Sequence, residues 1–134
     1  MKNTLFKKIA CLCLCMLLLS AVTLSVYAEG AGITPRYSFT AAIKASLNLS
    51  GGTAYCSGSV TPSGGYNSSI TVTLYRQVNG SWVYVTSWYG SASGSATASA
   101  GGSKYVGTGT FKVVSNGIIG NGLERPTTYI VRSN

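Results

Sequence analysis

Histidine is absent from this chain of 134 residues, and acidic residues number 2 against 10 Lys and Arg. Each scarcity excludes chemistry. Without histidine no side chain ordinarily titrates near neutral pH, so imidazole general bases, His-held metals and Ser–His or Cys–His pairs all fall away. The two acids are Glu29 and Glu124. Glu29 lies at an expected new N-terminus, where chains fray, so two carboxylates flanking a glycosidic bond are not expected. No GxxxxGK[ST] phosphate loop occurs, and the one Gly-rich candidate, Gly101-Gly102-Ser103-Lys104, reads as a turn. The expectation is a protein that is not an enzyme and that uses no cofactor and no metal.

Cysteine is scarcer than its total of 4 suggests. Lys2, Lys7 and Lys8 precede an apolar run from Ile9 to Leu24, and Ser25-Val26-Tyr27-Ala28 closes it with small residues at the positions a signal peptidase reads. That pattern predicts a secretory signal peptide over 1–28, cut after Ala28. The run is short and has no stop-transfer flank, so stable membrane insertion is not expected. Cys11, Cys13 and Cys15 belong to this leader, and Lys7 and Lys8 stand too close to leave a lipidation segment before Cys11. Cys56 remains alone, so no disulfide forms within the mature chain. With no LPxTG-type signal and no apolar C-terminal tail, covalent wall anchoring is not expected. The sequence thus predicts a secreted, extracellular protein with a loose arm over 29–40, extended at Pro35, and one domain over 41–134.

After Ala28, Gly, Ser and Thr fill nearly half the positions, while Val, Ile, Leu and Phe make up about a fifth, near the lower limit for a packed core. Low charge together with Tyr and Trp argues against disorder. The cations Arg36, Lys44, Arg76, Lys104, Lys112, Arg125 and Arg132 are scattered, with no run and no helical stripe. They read as solubility or as attraction to anionic envelope polymers or lipid. Nucleic acid is disfavoured as a partner, both by the leader and by the lack of clustering.

Period-two alternation recurs every 8–14 residues. It predicts strands near 41–49, 53–61, 69–77, 82–89, around Ala96 to Ala100, near 109–116, and over Thr127 to Val131. Ser50-Gly51-Gly52, Pro62 to Gly65, Asn79-Gly80, Gly101-Gly102 and a Gly-rich loop from Gly117 to Gly122 punctuate them. Asn79-Gly80 is the strongest hairpin signal, because a type I′ turn needs positive φ at both central residues. No stretch after the leader keeps a 3.6-residue period. The expectation is an all-β, single antiparallel seven-strand sandwich.

The segment Val106-Gly107-Thr108-Gly109-Thr110-Phe111-Lys112-Val113-Val114-Ser115-Asn116-Gly117 resembles the late strands of fibronectin type III and related immunoglobulin-like modules. The resemblance is close over about a tenth of the chain, and the strand count extends it over 41–131. It departs at Phe111, where those families usually place a tyrosine, so the corner hydrogen bond of that hydroxyl would be missing. The layout is also similar to small secreted proteins of Gram-positive bacteria with no assigned role. It implies a fold and a compartment rather than an activity.

Two features bear on function. Cys56 shares a strand face with Ala54 and Val60 and reads as a buried, inert thiol; intermolecular pairing is the alternative. Three Asn-x-Ser triplets, at Asn48, Asn67 and Asn79, read as chance matches in a Ser-rich chain. The hairpin is more informative. A two-residue turn at Asn79-Gly80 pairs Val78 with Ser81, Arg76 with Val83, Leu74 with Val85 and Val72 with Ser87. Ile70, Val72, Leu74, Val83 and Val85 then face a core, and Tyr75, Trp82, Tyr84 and Trp88 share the opposite face. That face reads as an aromatic interaction surface, with Val114 beside it in a fibronectin-like order. A bulge or odd-length turn would instead flip the second strand and bury both tryptophans. The expected function is an extracellular binding or adhesion module for a protein, a glycan or an anionic envelope polymer. The alternative is a cationic effector, bacteriocin-like or toxin-like, acting on cell envelopes. The effector needs clustered charge beside exposed apolar surface, and whether Lys112 and Lys104 flank the aromatic patch helps to decide.

Overall fold

A computed structural model describes residues 36–134. The expected leader over 1–28, its expected cleavage point and most of the expected arm lie outside the described residues. Seven strands follow one another: β1 Thr40–Ser50, β2 Thr53–Pro62, β3 Ser68–Val78, β4 Ser81–Ala92, β5 Ala98–Tyr105, β6 Thr110–Ile119 and β7 Thr127–Ser133. The only helical element among the described residues is a 3-10 turn at Gly120–Gly122. The strands form two antiparallel sheets, one of order β1-β2-β5 and one of order β4-β3-β6-β7. The expected all-β fold of seven antiparallel strands in a sandwich-like pair of sheets is what is found.

Alternation builds the core. One sheet contributes Leu47, Ala54, Cys56, Val60 and Ala98, and the other contributes Ile70, Val72, Leu74, Phe111, Val113 and Ile119, all buried in one cluster. Burying each of the larger aliphatic or aromatic side chains is worth about 1.5–3 kcal/mol. Cys56 lies opposite Leu47 on one side and Gly102 on the other. It is 4 % exposed, and burial pushes its thiol up to about 11, so it is the inert small hydrophobe its strand face implied.

Two hairpins close on two-residue turns. Gly51 and Gly52 have φ of 56° and 75°, and Asn79 and Gly80 have 51° and 81°, the left-handed pair that a type I′ turn requires.

Gly101-Gly102, expected to end a strand, and the first half of the loop expected over Gly117 to Gly122 are strand instead. β5 runs through Gly101 and Gly102 to Tyr105, and β6 runs through Gly117 to Ile119. The reason is space rather than flexibility. A Cβ at Gly101 would meet the Cys56 carbonyl, one at Gly102 would enter the Trp88 indole, and one at Gly117 would press on Val60 and Pro126. Glycine is present because neighbouring atoms already occupy the place of a side chain.

Residues 37–40, expected in the arm, are fastened. Glu124, in the β6–β7 connection, accepts hydrogen bonds from the Ser38 amide at 2.6 Å, the Phe39 amide at 3.1 Å and the Thr40 hydroxyl at 2.5 Å. The Thr127 amide donates to the Tyr37 hydroxyl at 3.0 Å. At the β5–β6 corner, Arg76 donates to the carbonyls of Val106 at 3.4 Å and Thr108 at 3.0 Å, with its guanidinium 5.7 Å from the Phe111 ring centre.

Two predictions follow from this packing. The Ser115 hydroxyl is fully buried without a hydrogen-bond partner, pressed toward the space above Gly58. Because a buried unsatisfied hydroxyl is destabilising, Ser115→Ala is expected to raise the unfolding free energy by about 1 kcal/mol, measured by urea denaturation. At Glu124, desolvation pushes the carboxyl up, but the Thr40 hydroxyl and the Ser38, Phe39 and Thr40 amides outweigh it and hold it below the ordinary value of 4.5. A lowered folded pKa gives stability that is full above the unfolded pKa and is lost as pH falls through the folded one. The wild type should therefore lose stability below about pH 4.5 more steeply than Glu124→Gln, which should already be weaker at neutral pH; melting temperatures across pH 2–7 check both.

Candidate functional site

The outer face of the four-stranded sheet carries the aromatic residues that the hairpin pattern singled out, but not all of them. From the turn, Val78 pairs with Ser81, Gln77 with Trp82, Arg76 with Val83 and Tyr75 with Tyr84, as the two-residue turn dictates. The register then slips. Leu74 pairs with Thr86 and Val72 with Trp88, leaving Val85 as the extra residue of a β-bulge. The expected pairs Leu74–Val85 and Val72–Ser87 are not formed.

The bulge divides the two tryptophans. Trp82 lies before it and keeps the outward face with Tyr75 and Tyr84. Trp88 lies after it, shares the inward face with Val72, and packs against the core with its indole beneath Gly102. The two alternatives each describe half of β4. Val83, expected in the core, is half exposed near the turn, where the core has ended, whereas Val85 does pack against the core.

β6 and β7 complete the outward face. Lys112 pairs with Tyr75 on one side and Val131 on the other, and Val114 pairs with Tyr129. The Lys112 ammonium sits 4.5 Å from the Trp82 ring centre and 5.4 Å from that of Tyr75. Tyr75 and Tyr84 meet edge to face with centroids 6.5 Å apart. These contacts hold a cation among ring faces, an attraction of about 0.5–1 kcal/mol at exposed sites. A shallow groove of about 460 Å³ runs beside them, lined by Trp82, Lys112, Val114, Tyr129 and Val131. Tyr129 is 68 % exposed and Tyr84 60 %. Lys104 lies on β5 in the other sheet, so only one of the two lysines reaches this face.

The contribution of β6 and β7 was only partly visible in the sequence. Alternation across Phe111 and Val113 puts Lys112 and Val114 on one face, but nothing local tells which strands will be its neighbours.

A larger groove, about 910 Å³, lies along β5 and the outer face of the three-stranded sheet. Ser46, Asn48, Tyr55, Ser57, Trp88, Tyr89, Ser99 and Gly101 help to line it. Tyr55, Trp88 and Tyr89 stand along it beside Ser and Gly positions of the open sheet face, and no lysine or arginine lines it. The smaller groove combines ring faces, aliphatic floor and a positioned charge, and is the stronger candidate site.

Lys112 is the only cation in the aromatic groove, and the Cys56 thiol beside the larger one stays protonated because burial raises its pKa to about 11. Among the described residues, no group of three or more His, Cys, Asp or Glu gathers to hold a metal.

Compared with protein families, curated proteins and solved structures, the chain matches none.

The division at the bulge predicts unequal effects of equal truncations. Trp88→Ala should destabilise the protein by about 2–4 kcal/mol, because it empties a site packed under Gly102. Trp82→Ala should change stability by less than about 1 kcal/mol, because it removes a partly exposed ring on the outward face and a cation–π contact. Paired chemical denaturation curves measure both.

Proposed function

We propose that the protein is a secreted, non-catalytic binding or adhesion module of a bacterial cell, and that it binds through the outer face of the four-stranded sheet. The observation that carries this reading is the Lys112 ammonium held between Trp82 and Tyr75 beside the exposed rings of Tyr84 and Tyr129. Rigid rings offer large contact area with little side-chain entropy to lose, and a pre-positioned charge adds orientation. Export is supported by Lys2, Lys7 and Lys8 before the apolar run and by Val26 and Ala28 after it.

The domain is read as an immunoglobulin-like sandwich of the fibronectin type III kind. The constant-type immunoglobulin arrangement has four strands in one sheet and three in the other, with the fourth strand in the first sheet. Here β4 joins β3, β6 and β7, giving sheets of three and four. The corner before β6, tied in those folds by a tyrosine hydroxyl, is tied by Arg76 to the Val106 and Thr108 carbonyls above Phe111. The same tether is made from a different strand.

The effector reading is weaker. It calls for clustered charge beside exposed apolar surface, and Lys112 stands at the aromatic face without Lys104.

Retention of purified protein on isolated cell envelopes tests the binding role. Trp82→Ala and Tyr84→Ala are each expected to lower retention at least several-fold, with melting temperatures close to that of the wild type. Unchanged retention in both variants would overturn the assignment of the role to this face.

A further inference from the structure

We infer that the groove beside Lys112 takes a carboxylate-bearing sugar, a uronate unit of an acidic polysaccharide, with the ammonium meeting the carboxylate and the sugar ring lying on Tyr129. The inference rests on the binding role proposed for this face and names what is bound.

The sign of the partner's charge comes first. Glu124 is the only carboxylate side chain among the described residues, and it is engaged by the Ser38 and Phe39 amides and the Thr40 hydroxyl, in the β6–β7 connection. No described carboxylate therefore neutralises Lys112. The rings of Trp82 and Tyr75 attract its charge but accept none of its N–H donors as a carboxylate oxygen would. An anion brought to the groove supplies the missing acceptor. The lysine is already held in position, so less side-chain freedom is lost when that bond forms.

The shape of the partner follows from the groove. Val114 and Val131 give it an aliphatic floor and Tyr129 an open ring face. Tyr129 pairs with Val114 and Lys112 with Val131, so ring and ammonium are diagonal neighbours on adjacent strands. Such neighbours lie about 7–8 Å apart at the backbone, within reach of long side chains. A pyranose has a flat C–H face to lay on a tyrosine and carries its carboxylate at the ring's edge. A bare phosphate or a phosphatidylglycerol headgroup has no comparable face. One ammonium also suits one charge per unit: Arg132, the next cation along β7, turns back to donate to the Val131 carbonyl at 3.1 Å, and no arginine fork of the kind that favours phosphate faces the groove.

The test uses the mature protein and polygalacturonate of defined length, with its fully methyl-esterified form as the uncharged control and vesicles of phosphatidylglycerol as the lipid control. Titration calorimetry at low and at 150 mM salt is expected to show binding to polygalacturonate at least tenfold tighter than to the ester or the vesicles. Lys112→Met, which keeps the aliphatic stem, should remove that preference, and Tyr129→Ala should weaken binding at least several-fold. Lys104→Met, on the other sheet, should leave both unchanged. Melting temperatures of all variants verify folding, and Tyr129, being exposed, gives a second reading should Lys112→Met not fold. Equal losses in Lys112→Met and Lys104→Met would reveal diffuse charge attraction and overturn the proposal, as would equal binding to the ester or tighter binding to the vesicles. Envelope retention that depends on Trp82 without any binding of polygalacturonate would overturn the uronate and leave the binding role standing. Retention unchanged by both Trp82→Ala and Tyr84→Ala removes the role of this face itself.

Discussion

The close approach of main chains that lack side chains is the constraint on which this structure depends. A Cβ at Gly58 would run into the Ser115 hydroxyl and Val72, joining the two sheets at their centre. At Gly90 it would meet the Ser99 carbonyl, where β4 and β5 draw together at one edge of the pair of sheets. The three-stranded sheet brings small residues, Ala54, Cys56 and Ala98, to a core whose larger side chains, Ile70, Leu74, Phe111 and Ile119, come from the other sheet, so the backbones approach closely where glycine stands. Trp88 packs at the edge of this core, and Gly102 makes room for it. A side chain added at these glycines would push apart layers already in contact.

The bulge at Val85 lets one strand serve two purposes. Before it, β4 turns Trp82 and Tyr84 outward; after it, Trp88 packs inward against the core. A regular strand would have put both tryptophans on one side, either thinning the core or removing half of the aromatic face. The extra residue also packs, since Val85 lies against the core beside Thr86 opposite Leu74. An aromatic outer face and a sufficient core are thus drawn from the same short segment without competing for the same rings.

Electrostatics are equally economical. A domain with seven cations has one described carboxylate, and that one holds residues 38–40 to the β6–β7 connection. Its hydrogen bonds come from backbone amides and a hydroxyl, so the fold relies on acceptor geometry rather than ion pairing. Arg76 works in the complementary sense, donating to two carbonyls at the β5–β6 corner. The remaining cations are left to set the sign of what approaches the surface, and Lys112 is the one that ring contacts position.

Local chemistry in the sequence determined the all-β class, the seven strands, both two-residue turns and the burial of Cys56. These follow from alternation with period two and from residues such as Asn79 and Gly80 that accept left-handed φ. It also determined that Trp82, Tyr75 and Tyr84 would share a face, because they lie within a few residues of a turn whose register the turn itself sets. The path of β5 through Gly101-Gly102 and of β6 through Gly117 was decided elsewhere. Glycine in a sequence has the same appearance whether it supplies a turn or yields to a neighbour, and the neighbours here, Cys56, Trp88, Val60 and Pro126, are distant along the chain. The slip at Val85 was likewise a tertiary decision. The turn fixes pairing only until a residue is inserted, and burying Trp88 against Val72 and under Gly102 selects the slipped register over the regular one. Nor could alternation assign Lys112 its companions. It told which side of β6 the lysine occupies, while hydrogen bonding to β3 and β7, strands remote in sequence, brought it between Tyr75 and Val131 and beside Trp82.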